Sequence, residues 1–280
     1  MFYKKKNIAI VGLFIGIAFA ACHQSDPPAF TVPEIKGDFA FAGYQWKYKN
    51  ATTPVGPGPN RFSGTSDFAW VDSAGQLHMK IAKKNNFWTC SEIISTKTFG
   101  YGTYIMTCMS DVSTFNENAV FGFFTWDNYS FQAQGNSEID VEFSRWGNAS
   151  DTNLITYSAQ PVIFSNPTPY SERTYKPKLA TKYMKQPMTY MMRWTPDSVY
   201  WQSFEGVNYP GVNKVTQWTF DKTNTPRKKI EGNQTSNDIV IPAPSDSTNV
   251  RFNLWLLNGI APSNGKEHEV IITNFKYQPL

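Results

Sequence analysis

At 280 residues the chain is long enough for one large β domain or two small ones. Its 21 Phe, 14 Tyr and 9 Trp, with 18 Gly and 18 Pro, suit a sheet-rich fold with many turns and exposed rings. The formal charge is +4, but without Lys4, Lys5 and Lys6, which fall in a segment expected to be removed, 23 basic residues face 22 acidic ones, and nothing asks for nucleic acid as a partner.

Residues 1–21 read as an export signal: a basic start at Lys4–Lys6, then an apolar run from Ile8 to Ala21 too short to span a bilayer comfortably. Ala20-Ala21-Cys22 resembles a bacterial lipobox, whose Cys becomes the lipidated first residue, although Phe19 stands where Leu, Val or Ile is usual. The alternative is ordinary cleavage at Ala18-Phe19-Ala20. The lipobox reading makes Cys22 a lipid anchor and the product an outer-membrane or cell-surface lipoprotein; the other makes it periplasmic or secreted. Residues 22–37 lack periodicity and carry three prolines, as a tether would. One folded domain is expected over 38–280, acting as a monomer.

Gly56-Pro57-Gly58-Pro59-Asn60 is a turn cluster, and Gln76–Ile81 alternates as a strand. Cys90 and Cys108 flank a predicted hairpin with its turn near Phe99-Gly100-Tyr101-Gly102. Antiparallel pairing about residue 99 places the two Cys opposite each other, which in an exported protein favours a disulfide worth roughly 3 kcal/mol. Two buried free thiols are the alternative. Val120–Trp126 splits into a face of Val120, Gly122, Phe124 and Trp126 and a face of Phe121, Phe123 and Thr125, with the Gly suited to a chain passing close to the backbone.

The central signal is Ser137-Glu138-Ile139-Asp140-Val141-Glu142-Phe143. A period of two puts Ile139, Val141 and Phe143 in a core and Glu138, Asp140 and Glu142 in one acidic row on the opposite face. Like charges side by side are costly on a strand. Crowding also drives their pKa values apart, so that one carboxyl stays protonated while its neighbour is ionised. The competing reading is a solvated charged face.

Further strand candidates are Asn153–Gln160, Tyr190–Trp194, Val199–Phe204, Arg251–Leu256 and Glu269–Phe275, while 221–238 reads as a polar surface loop around Arg227-Lys228-Lys229. In Arg251-Phe252-Asn253-Leu254-Trp255-Leu256, the apolar row leaves Arg251, Asn253 and Trp255 together. A Trp π-face beside an amide is what a pyranose needs for its C–H groups and its hydroxyls. His23, His78 and His268 are too scattered for a His-based metal site. The pattern as a whole is an antiparallel sandwich.

Glu-Ile-Asp-Val-Glu-Phe resembles the active-site motif of glycoside hydrolase family 16, in the form without an inserted residue, similar to lichenases and xyloglucan-active enzymes. The likeness extends over most of residues 40–280. It implies a jelly roll of two curved sheets with a concave cleft, and an endo-acting retaining hydrolase of β-linked polysaccharide. Glu138 would be nucleophile, Glu142 general acid then base, and Asp140 the tuning group between them. Phe124, Trp126, Asn253 and Trp255 would line the cleft, with Trp126 and Phe124 as either sugar platform or core. Asn60 matches a cleft position, or is a plain turn residue. Asn274 stands where many relatives carry a calcium-binding Asp, so neither metal nor cofactor is expected. Asn136 stands where lichenase-like relatives carry Trp, which weakens transfer of mixed-linkage specificity. A transglycosylase, a binding module and an adhesion protein with a degenerate site are the rival readings.

Overall fold

The computed structural model describes residues 34–127, 137–160, 173–223, 229–231, 234–236 and 241–280. Cys22, Asn136 and the whole signal segment lie outside them. In chain order the first strands are β1 Glu34–Phe41, β2 Tyr44–Val55, β3 Asn60–Phe62, β4 Ala69–Val71, β5 Leu77–Lys84 and β6 Phe87–Thr98. Next come β7 Gly102–Cys108, β8 Ala119–Trp126, β9 Ile139–Ser144, β10 Ile155–Ala159, β11 Thr174–Tyr175 and β12 Met188–Trp194. The last are β13 Ser198–Glu205, β14 Lys214–Asp221, β15 Lys229–Glu231, β16 Gln234–Ser236, β17 Asn249–Leu256 and β18 His268–Pro279.

Hydrogen bonding sets β15 and β16 apart as a separate pair and arranges the others into two layers, antiparallel except where β3 runs parallel to β6. One runs β11-β10-β9-β8-β17-β6, with β2 and β1 continuing beyond β6; the other runs β5-β18-β7-β12-β13-β14, with β4 on β5. The hairpin from β5 to β6 joins them, and its two turn residues, Asn85 and Asn86, take left-handed φ of 50° and 66°. Asn tolerates that region because its side chain bonds locally, and a two-residue turn of this hand matches strand twist. The free edges meet on the far side, where Tyr175 of β11 stacks on Trp218 of β14 with centroids 5.9 Å apart. This is the expected all-β jelly roll.

Alternation decides what lies between the layers. Phe121 and Phe123 of β8, Ile139, Val141 and Phe143 of β9, and Phe252 and Leu254 of β17 are all fully buried, as the period of two predicts. Phe123 stacks on Phe252 at 5.1 Å, and Phe143 meets Tyr190 of the opposite layer edge-on at 4.9 Å. Each such side chain contributes roughly 1.5–3 kcal/mol by leaving water. Burial therefore fixes the register, and the register sends the other half of each strand to the cleft face.

Three expectations are corrected here. Cys90 and Cys108 are free buried thiols, not a disulfide. The segment between them does not turn a hairpin: β6 lies in the β17 layer, whereas β7 lies between β18 and β12 in the other. Symmetry about residue 99 fails because the chain crosses the core there. Burial pushes both thiols up to about 12, so neither is a ready nucleophile. Second, β1 begins at Glu34 and pairs with β2, so ordered sheet starts inside the stretch read as tether. Third, the loop read at 221–238 contains the β15–β16 pair.

Candidate active site

The cleft face is a grid set by cross-strand register. One row reads Glu142 on β9, Gly122 on β8, Asn253 on β17 and Glu92 on β6, each directly opposite the next. The adjacent row reads Asp140, Phe124, Arg251 and Ile94, then Lys47 on β2. On β10, Thr156 and Ser158 lie opposite Glu142 and Asp140. The expected residues Asp140, Glu142, Phe124, Asn253 and Trp255 are thus brought onto one face, with Trp126 at its end opposite Asn249.

Glu138 sits just before β9, which starts at Ile139 rather than at Ser137. Its backbone is still held firmly. The Thr125 hydroxyl donates to the Ser137 carbonyl at 2.7 Å and accepts the Ile139 N–H at 3.1 Å, bridging the two peptide groups on either side of Glu138. The Glu138 carbonyl accepts the Gln160 N–H at 3.0 Å. From the opposite layer, the Trp201 indole N–H donates to the Asp140 carbonyl at 3.0 Å. In the sequence Thr125 is only a member of the face it shares with Phe121 and Phe123, because periodicity reports a face and not a hydrogen bond. Thr125→Val keeps the shape and removes both bonds. It is expected to cost roughly 1–3 kcal/mol of stability and about tenfold or more in turnover through misplacement of Glu138, checked by thermal melts and kcat.

Glu138 and Glu142 are half-buried and Asp140 is buried. Desolvation is the largest influence on all three and raises each. Glu138 is pushed up to about 8 by burial and then by the charge of Glu142, against a lowering hydrogen bond from Asp140 and the Arg251 guanidinium. Asp140 is raised well above the usual range by burial, the charge of Glu138 and the hydrogen bond it makes to Glu138, while Gln160 Nε2, donating at 3.0 Å, lowers it. Asp140 therefore carries the proton in that bond and donates to Glu138. Burial and Asp140 raise Glu142 well above its ordinary value. All three carboxyls are thus raised, each by burial first and then by a neighbouring carboxyl, with the Asp140 hydrogen bond and Arg251 pulling Glu138 back down.

Around the row, Gly122 is required by close approach: a Cβ there would meet Asn253 Oδ1 at 2.5 Å. That Oδ1 is buried and has no hydrogen-bond partner among the described residues, beside the residue that faces Glu142. Rings flank both ends. Phe124 and Trp126 meet edge-on at 6.4 Å toward Glu138, and Trp255 meets Trp146 at 6.4 Å toward the end of β9. Trp126 is half-buried, whereas Phe124 and Trp255 are nearly covered. Trp146, 37% exposed with φ of 49°, was not singled out as a site residue, since it follows the strand and has no periodic partner. Asn60 is placed differently. Its amide donates at 2.7 Å to both the Pro57 and Leu256 carbonyls, and its Oδ1 accepts the Cys90 thiol at 3.4 Å. It ties the turn to the end of β17. Glu92, opposite Asn253 in the cleft row, forms a buried ion pair with Lys49 at 2.7 Å; neither was singled out in the sequence, where they lie far apart.

The profile of the family described as "Glycosyl hydrolases family 16" matches residues 60–229. No curated protein matches the sequence. Among solved structures, the fold is similar to a β-glucanase of Bacillus licheniformis, 18% identical with a TM-score of 0.55, over 88% of this chain and 99% of that one. It is similar to a laminarinase of Flavobacterium sp. at 13% identity and a TM-score of 0.55, over 87% and 99% of the two chains. It is also similar to a pseudo β-1,3-glucanase of Mycobacterium tuberculosis at 14% identity and a TM-score of 0.57, over 84% and 91%.

Proposed function

This chain belongs to glycosyl hydrolases family 16, and from that premise we propose that it is an endo-acting hydrolase of β-linked glucan-type polysaccharide working by double displacement. The supporting observation is the acidic row itself, in which Asp140 and Glu142 share the cleft face of β9 and Asp140 is hydrogen-bonded to Glu138 just before it. Fold alone does not decide activity, since a protein described as a pseudo β-1,3-glucanase shares it; the reading rests on the three carboxyls. Glu138 attacks the anomeric carbon and Glu142 protonates the departing oxygen. Glu142, now ionised, then takes a proton from the water that releases the glycosyl-enzyme. Asp140 keeps one oxygen of Glu138 engaged and leaves the other for attack. Asn253 Oδ1 offers an acceptor to a sugar hydroxyl beside Glu142, and Trp126, with Trp146 at the other end, supplies ring faces.

The test is purified protein on a panel of β-glucans with product sizing. Internal cleavage is expected, and no turnover on any β-glycan would sink the reading. Stereochemistry checks the mechanism. Residues four apart on a flat strand lie about 13 Å apart, whereas a retaining pair needs carboxyls within about 5.5 Å. The charge of Glu142 is the second influence on Glu138 after burial, which supports their convergence. Proton NMR of a fresh digest is expected to show the β-anomer first, with α appearing only by mutarotation; initial α-anomer would mean an inverting pair.

Export and anchoring through Cys22 form part of this proposal. Detergent phase partitioning of the wild type and Cys22→Ser should place the first in the detergent phase and the second in water.

A further inference from the structure

Two cations and one anion are buried together at the β17–β6–β2 end of the cleft-face grid. Lys49 Nζ donates to Glu92 Oε2 at 2.7 Å, and Arg251 Nη1 donates to Glu92 Oε1 at 3.1 Å. The three side chains are 5%, 1% and 11% exposed for Lys49, Glu92 and Arg251. Lys49 is fixed further by the Gly56 carbonyl at 2.7 Å, and Arg251 by Asn249 Oδ1 on its Nε at 2.8 Å. Glu92 neutralises one of the two cations. A buried charge left unmatched is costly at low dielectric, so the surplus calls for a second carboxylate.

Register gives the direction in which that carboxylate lies, since the row of Arg251 runs to Asp140 and Glu138 is the next acidic residue beyond it. Arg251 is opposite Phe124, and Phe124 is opposite Asp140. The guanidinium lies over the Trp126 ring, 5.5 Å from its centroid, and Trp126 is the next cleft-facing residue of β8 toward Glu138. We propose that Lys49, Glu92 and Arg251 form one buried charge network whose surplus positive charge is matched by Glu138, making Arg251 a positioning residue for the nucleophile. This rests on the reading of Glu138 given above.

The charges around Glu138 can be taken element by element. On its own segment Asp140 and Glu142 face it, β6 brings Glu92, β2 brings Lys49 and β17 brings Arg251. β8 contributes Phe124 and Trp126, and β10 Thr156 and Ser158 with Gln160 beyond, none of which changes charge in the working range. Glu142 and Glu92 disfavour a charged Glu138; Arg251 is the cation that favours it. Removing Arg251 therefore moves Glu138 toward its neutral form, and the acid limb of kcat/KM moves to higher pH.

The experiment is 13C NMR titration of glutamate-labelled protein, with the Glu138 carboxyl assigned by its disappearance in Glu138→Gln. Arg251→Met leaves Lys49 and Glu92 as a neutral pair, so the fold should persist, and Arg251→Gln serves if it does not. In either variant the Glu138 midpoint is expected to rise by about one unit or more, while Arg251→Lys keeps it within about half a unit of wild type. The acid limb of kcat/KM should follow. A midpoint unchanged in Arg251→Met overturns the proposal. So does an unchanged midpoint with activity lost only on carboxylated or sulfated glycans, since the surplus charge then answers a substrate anion. Near-native turnover by Glu138→Gln would instead remove the assignment of the nucleophile, while the titration still reports whether Arg251 and Glu138 are matched.

Discussion

Glu138→Gln and Glu142→Gln are each expected to lower kcat on the best glucan by a factor of about a thousand or more, with the fold intact. Neither side chain belongs to the core row, which Ile139, Val141 and Phe143 occupy. The two variants should differ in what remains. Glu142→Gln loses the proton donor, so an aryl glycoside with a good leaving group recovers much of the first step while natural polysaccharide does not. Glu138→Gln loses the bond-forming group, so leaving-group quality does not help it. Only Glu138→Ala makes room for azide to attack in its place, giving an α-configured adduct from an activated β-glycoside. Asp140→Asn is expected to keep more activity than either, because the amide N–H still donates to Glu138. Near-native turnover by either Glu variant would remove the assignment.

The alternation at 137–143 made both the fold and the acidic row legible, because a period of two is enforced by burial. Val141 and Phe143 are buried, so Glu142 is placed across the sheet from them without further information. The same logic placed Asn253 and Trp255 opposite Phe252 and Leu254. What it did not reach were contacts between strands distant in sequence. Lys49 and Glu92 are 43 residues apart, and neither stands out in its own segment. Thr125 and Trp201 act through backbone hydrogen bonds that no side-chain pattern announces. Cys90 and Cys108 show the opposite error: sequence symmetry suggested a neighbour where the chain had changed layers. Asn60 carries the residue type expected of the cleft, but its amide is spent on the turn.

The same row that supplies catalysis should make the protein less stable as pH rises, and Glu138→Gln should relieve it. A free Glu titrates near 4.5, and Glu138 in the folded chain is pushed up to about 8. A raised carboxyl means that the folded state holds a proton the unfolded state has already lost. The stability contribution is fully present below pH 4.5, falls as pH climbs through the window from 4.5 to 8, and is gone above it. At pH 7 the burden from this one group is of order 1–3 kcal/mol, allowing for partial solvent screening. Gln carries no such burden, and its carbonyl still accepts the proton of Asp140. Thermal melts of Glu138→Gln and wild type should coincide near pH 4 and separate with increasing pH, the variant being more stable by roughly 3–8 °C at pH 7–8. A constant difference across that range, or a variant less stable at pH 8, would show that Glu138 is not the strained member of the row. The coupling to function is direct, since the burial that makes ionised Glu138 costly to the fold is also what makes it reactive toward the sugar.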